Sequence, residues 1–165
     1  MTKPVLENTD LITVGWREWV SLPDINLPLI KAKVDTGART SALHAFELHT
    51  FENNGIEFVR FLIHPLQERN DIVRECMAEI KDTRWVSDSG GHKEQRYVIS
   101  TTVSIGTHQW PIEMTLTNRD TMKFRMLLGR TAMENKIVVN PAGSYMHGRH
   151  SKKNCEKYYI KGNKE

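Results

Sequence analysis

The residues best suited to chemistry are Asp35, Thr36 and Gly37, in the run Val34-Asp35-Thr36-Gly37-Ala38. An aspartate at the end of a strand can project its carboxylate into a cleft and act there as a base or an acid. A threonine hydroxyl beside it can brace the backbone. Glycine lets the chain turn sharply and lets another backbone come close. The run follows residues 29–34, where Ile30, Ala32 and Val34 alternate with Lys31 and Lys33. That period of two predicts a strand ending at Asp35. Taken alone, the tripeptide fits an ordinary turn capped by an aspartate equally well.

A second run, Met126-Leu127-Leu128-Gly129-Arg130, is a short apolar stretch stopped by glycine and followed by the one convincing helix, residues 130–135. By itself it reads as core. Four arginines, Arg39, Arg96, Arg119 and Arg130, lie in or near these regions. A guanidinium forms forked hydrogen bonds with carboxylates, so each can serve a substrate acid or the fold.

The elements that must position these groups are mostly strands. Residues 11–20 are rich in Ile, Val and Trp, and Pro23 and Pro28 bracket a turn. Residues 41–51 and 56–64 read as a hairpin joined at Asn53-Asn54-Gly55. Further strands are expected at 72–80, 97–105, 109–116 and 137–140, with a turn at Gly106-Thr107. Between them, residues 82–96 contain Ser87-Asp88-Ser89-Gly90-Gly91-His92, which reads as a mobile polar loop. Many short strands with almost no helix indicate an all-β barrel or sandwich.

The chain has 165 residues, 39% hydrophobic and 26% charged, which suits one globular domain with its own core. Residues 1–10 read as a flexible arm, 11–147 as the β domain and 148–165 as a basic tail. Residues 149–165 hold six basic residues against two acids, a net of +4; the rest, out of a total of +3, nets −1. A solvated end explains such a tail, and so does attraction to RNA, a ribosome or another acidic partner, a weak pointer to nucleic acid. No apolar run reaches membrane-helix length and no signal-peptide pattern opens the chain, so a cytoplasmic protein is expected. Cys76 and Cys155 lie far apart and form no C-x-x-C pair.

Together the two motifs are more specific than either alone. A strand ending in Asp-Thr-Gly-Ala, then several strands, then apolar-apolar-Gly-Arg opening a short helix, resembles the retropepsin half-barrel. Lys33 to Ala45, Ile112 to Arg119 and Met126 to Arg130 resemble the RimK-associated, so-called ATP-dependent zinc protease family. The likeness covers roughly residues 13–145. It implies a retropepsin-like closed barrel with one short helix after Leu-Leu-Gly-Arg. It implies an aspartic peptidase in which Asp35, Thr36 and Gly37 are catalytic and Leu127, Leu128, Gly129 and Arg130 support the site from behind. A chain with one Asp-Thr-Gly must borrow its second aspartate from a homodimer partner. Ala38, Arg39, Arg96 and Arg119 are the substrate-binding candidates. Gly90 and Gly91 are candidate hinges of a flap, although a plain surface loop reads equally well. The resemblance also implies a protein or peptide substrate, glutamate-rich where a RimK-type ATP-grasp ligase extends it, with that ligase or a ribosomal protein as partner.

The family's name and the residues disagree. A common zinc protease needs H-E-x-x-H, with both histidines on one helix face. The seven histidines here are scattered, and His44 and His49 stand five apart. No G-x-x-x-x-G-K loop for a nucleotide is present. No cofactor is therefore expected, and zinc enters only through the family's name. A non-catalytic peptide- or partner-binding module, and a metal-dependent hydrolase, remain open as alternatives.

Overall fold

The computed structural model describes residues 11–88, 90–118 and 123–160. Eleven strands and two helices follow one another: β1 (Ile12–Val14), β2 (Arg17–Leu22), β3 (Leu27–Val34), β4 (Ser41–His44), β5 (Phe46–Asn53), β6 (Ile56–Ile63), β7 (Arg74–Ser87), β8 (Lys93–Ile105), β9 (His108–Thr117), β10 (Met126–Leu128), α1 (Arg130–Met133), β11 (Ile137–Val139) and α2 (Lys152–Tyr159). The main sheet runs β2-β3-β10-β4-β9-β8-β7-β6-β5, and β2 also meets β8 at Ser21↔Ser104. β1 and β11 form a separate parallel pair. The chain is thus mostly β, as its alternating pattern indicates.

The alternation sorts the core directly. In β2, Glu18, Val20 and Leu22 face inward while Arg17, Trp19 and Ser21 face outward. In β8, Ile99, Val103 and Ile105 are fully buried, and β9 opposes them with Trp110, Ile112 and Met114. The β5–β6 turn places Asn54 (φ 54°) and Gly55 (φ 81°) in the left-handed region, where asparagine and glycine are tolerated.

Three expectations need correction. Residues 41–51 do not form one strand. β4 inserts between β10 and β9 and ends at His44; β5 starts at Phe46 and carries a bulge with Glu47 at φ 52°. Residues 82–96 are not a long loop: β7 and β8 continue to Val86↔Glu94 and Ser87↔Lys93, leaving only the tip around Asp88–His92. Polar and charged residues hid this strand because both of its faces are largely wet, so no apolar stripe marks it.

There is also a second helix. The basic segment after Arg149 carries α2, capped by Ser151 Oγ accepting from the Asn154 N–H. Cys155 and Tyr159 are buried, and the Tyr159 hydroxyl both donates to the Leu29 carbonyl and accepts from the Leu29 N–H. Just two of the helix's residues are buried, too sparse a pattern to stand out in a lysine-rich stretch.

Glu18 is a carboxylate buried in the core, 1% exposed. Its carboxylate accepts from the N–H groups of Gly15 (2.8 Å), Met146 (2.9 Å) and His147 (3.2 Å), tying the segment after β11 to β2. A buried carboxylate with such donors is stabilised, and removing it strands all of them. Glu18→Ala should lower stability by about 3 kcal/mol, read as a fall in urea midpoint at unchanged m-value. Both cysteines are free and buried, and burial pushes the Cys76 thiol up to about 12. Thiol reagents at pH 8 should therefore label Cys76 only after unfolding; rapid labelling of the native chain would contradict this.

Candidate active site

β3, paired with β2 on one side and β10 on the other, ends just before Asp35. The Asp35 N–H donates to the Leu128 carbonyl at 2.9 Å, so the motif's first amide is pinned by β10. The chain then turns on itself: Asp35 Oδ1 accepts from the N–H groups of Gly37 (3.0 Å) and Ala38 (3.2 Å). The carboxylate is oriented by its own loop. Among the described residues Oδ2 receives no hydrogen bond, and Asp35 is half-buried while Thr36, Gly37 and Arg39 are exposed. A Cβ on Gly37 would stand 3.3 Å from Asp35 Oδ1, so a larger residue would crowd the carboxylate.

The second motif holds this loop from behind. β10 pairs in parallel with β3 (Leu127↔Lys33, Leu128↔Val34) and antiparallel with β4 (Met126↔Leu43, Leu127↔Ala42). It therefore sits between the strand that enters the Asp35 loop and the strand that leaves it. Gly129 then packs against the backbone of Thr40 and Ser41. A Cβ there would lie 2.5 Å from the Thr40 carbonyl carbon, a contact no side chain tolerates. The Gly129 N–H donates to Ser41 Oγ (2.9 Å), Arg130 N–H to the Ala38 carbonyl (2.8 Å), and Thr131 N–H to the Arg39 carbonyl (2.9 Å). The Arg130 guanidinium adds a bond to the Thr36 carbonyl at 3.1 Å. Arg130 thus serves the loop itself.

Arg96 lies on β8 and is 8% exposed. Its Nε donates to Glu94 at 2.5 Å and one terminal nitrogen to Thr115 Oγ1 at 3.4 Å. Thr115 in turn donates to the Ser41 carbonyl, and Thr117 to Glu94. Arg96 is therefore joined through Thr115 to the residue that clasps Gly129. With Asp88, His92, Lys93 and Glu94 it also lines a polar recess of about 350 Å³ beside the hairpin tip. At that tip, Asp88 Oδ1 accepts from the N–H groups of Gly90 and His92, and Gly91 adopts φ 85°. Arg119 lies outside the described residues. Among the described residues no three His, Cys, Asp or Glu side chains gather closely enough to hold a metal ion.

Sequence reasoning passed over Ser41, Thr115 and Trp85. Ser41 and Thr115 looked like ordinary strand residues, and only the register reveals them as the site's backing. Trp85, 69% exposed near the hairpin tip, lay inside the segment read as loop.

Known proteins resemble this chain. A family profile described as RimB-like, retropepsin-like aspartic endopeptidase RimB, matches residues 13–150. The chain belongs to that family. Proteins named probable alpha-L-glutamate ligase match it at 42% identity over 146 residues in Shewanella halifaxensis and at 46% over 140 residues in Parasynechococcus marenigrum. Those matches cover 88% and 85% of this chain but 32% and 30% of the relatives, so the chain spans about a third of their length. A crystal structure of a Legionella pneumophila protein of unknown function aligns with TM-score 0.69 and 28% identity, covering 82% of this chain and 98% of that one.

The clasp yields a direct test. Gly129→Ala should destabilise the fold by about 2 kcal/mol or more, because two backbones must part to admit the methyl group. A thermal midpoint unchanged from wild type would show that the Asp35 loop does not depend on this contact.

Proposed function

We propose that the chain is an aspartic peptidase whose active site is an Asp35/Asp35′ dyad formed across a homodimer. The observation that carries this reading is the state of the Asp35 carboxylate. Its Oδ1 is fixed by two backbone N–H groups, its Oδ2 is unengaged among the described residues, and the residues beside it, Thr36 and Gly37, are exposed. A surface that presents a fixed carboxylate beside bare backbone suits a two-fold axis, where the same patch meets itself.

In such a dyad two carboxylates about 3 Å apart share one proton and titrate as a unit. The ionised member takes a proton from water as the water oxygen bonds to the scissile carbonyl carbon. The protonated member gives its proton to the carbonyl oxygen. Collapse of the tetrahedral species breaks the C–N bond, with the proton passing to the leaving nitrogen. Three features support the peptide-binding half of the reading. The strands β2, β3, β10, β4, β9 and β8 follow one another back to β2, which suits a closed barrel with the Asp35 loop at its rim. The β7–β8 hairpin ends in a tight turn and carries exposed Trp85, which suits a flap that covers a peptide and excludes water. The relatives' name supports a glutamate-rich substrate extended by a ligase.

The test uses a glutamate-tailed peptide with and without a chelator. Wild type should cleave it in both conditions, and Asp35→Asn should lose at least about a thousandfold in kcat/KM. Loss with the chelator alone would instead favour a metal-dependent hydrolase. When wild-type and Asp35→Asn chains are mixed, activity should follow the square of the wild-type fraction. A linear fall would place the whole site within one subunit.

A further inference from the structure

The outward face of β2 and β3 carries cations without acids. The register sets Arg17 opposite Lys33 and Trp19 opposite Lys31, all on one face. α2 covers the Leu29 end of this face, and the basic segment around it adds Arg149 and Lys152. Elsewhere on the molecule several long cations have acidic partners: Arg60 with Glu75, Arg69 with Asp71 and Glu156, Lys81 with Glu79, Arg84 with Asp82 and Glu113, and Arg96 with Glu94. Among the described residues, Arg17, Lys31, Lys33, Arg149 and Lys152 meet no carboxylate.

Three of these cations are nevertheless held in place. Arg17 and Arg149 lie 4.7 Å and 5.3 Å from the ring centre of Tyr145, and Lys31 lies 5.2 Å from that of Trp19. Trp19 and Tyr145 stack on each other, 6.1 Å apart. Aromatic faces restrain the cations and leave N–H donors open to an incoming anion. Beside them opens a cleft of about 190 Å³, with Trp19, Lys31, Arg69 and Lys152 in its walls. Its two acids are Glu68 and Glu156, the latter already engaged by Arg69. From the cleft, Lys31 and Lys33 alternate along β3 toward Asp35. That separation is about 13 Å at an extended rise of ~3.3 Å per residue.

We propose that this face is a docking track for an acidic peptide stretch, which it holds in extended form and leads along β3 toward Asp35. Charge complementarity selects the occupant. Forked and ammonium donors spaced along a strand fit side-chain carboxylates presented at a similar spacing. Single-stranded RNA would need bare aromatic faces on which to stack its bases, and the faces of Trp19 and Tyr145 are occupied by the protein's own cations and by each other. The track's purpose rests on the peptidase reading; its binding does not.

The experiment measures binding of a labelled oligoglutamate peptide of about eight residues, long enough to span the track, to full-length Asp35→Asn protein. Lys31→Glu/Lys33→Glu should weaken binding at least about tenfold, and Lys31→Arg/Lys33→Arg should stay within about twofold of the parent. Arg149→Glu/Lys152→Glu, at the other wall of the cleft, gives the same reading should the first pair fail to fold. An oligoglutamine control should not bind, and added salt should release the glutamate peptide. Unchanged affinity in both folded charge reversals, equal binding of oligoglutamine, or tighter binding of a single-stranded RNA would each overturn the track. Peptide binding that is lost on charge reversal, with no cleavage by wild type, would sink the peptidase reading and uphold this one.

Discussion

The placement of Asp35 depends on one backbone-to-backbone contact, Gly129 against Thr40 and Ser41. β10 is only three residues long, and a strand that short has little stability of its own. It persists because both of its edges are used, by β3 on one side and β4 on the other. Its neighbours are the strands on either side of the Asp35 loop. Fixing β10 therefore fixes both ends of that loop. The bonds involved are mostly main-chain amides and carbonyls, whose positions follow from the backbone and not from rotamers. The Asp35 carboxylate inherits that rigidity, since its own donors, Gly37 and Ala38, are amides of the same loop. A site so built needs little side-chain entropy to be spent when it acts.

The clasp is reinforced from outside. Ser41 is engaged twice, through its hydroxyl by Gly129 and through its carbonyl by Thr115. Thr115 also receives Arg96, which is buried and neutralised by Glu94. A buried guanidinium left without that acid would be costly, so Glu94 and Arg96 form a unit. This unit lies beside the tip of the β7–β8 hairpin. The hairpin and the Asp35 loop therefore share a mechanical link of side chains across β9, although the two segments are distant in sequence.

How much of this was legible in the sequence varies by physical cause. The strand before Asp35 was plain, because Ile30, Ala32 and Val34 alternate with lysines and one face is buried. The supporting role of Gly129 and Arg130 was legible through the family likeness. The close approach that demands Gly129 was not, since it depends on where Thr40 comes to lie, a non-local fact. The long β7–β8 hairpin was missed because its outer half buries little on either face, so composition resembled a loop. α2 was missed for a related reason: Cys155 and Tyr159 dock it, and lysines surround them. Arg96 reads from the sequence as a substrate-binding candidate that could equally serve the fold, and the fold buries it beside Glu94. Pairing of charges is settled by register, and a sequence lists charges without their neighbours.

The same reasoning bears on the basic segment. Net charge alone cannot distinguish a solvated tail from a binding surface, because both are lysine-rich. What distinguishes them is how the segment is held. α2 docks through the Tyr159–Leu29 hydrogen bonds, the buried Cys155 and the Arg69–Glu156 pair, so its attachment uses almost none of its own cations. The residues that make it basic are thus left over after folding. They stand beside Lys31, which the β2–β3 register places next to Trp19. Like charges gathered on one face repel and cost stability unless solvent or a ligand relieves them. With the helix anchored through Tyr159, Cys155 and Glu156, part of that repulsion falls where β3 runs toward Asp35. An anion bound there would gain from every cation at once, and would lie on the strand that positions the carboxylate.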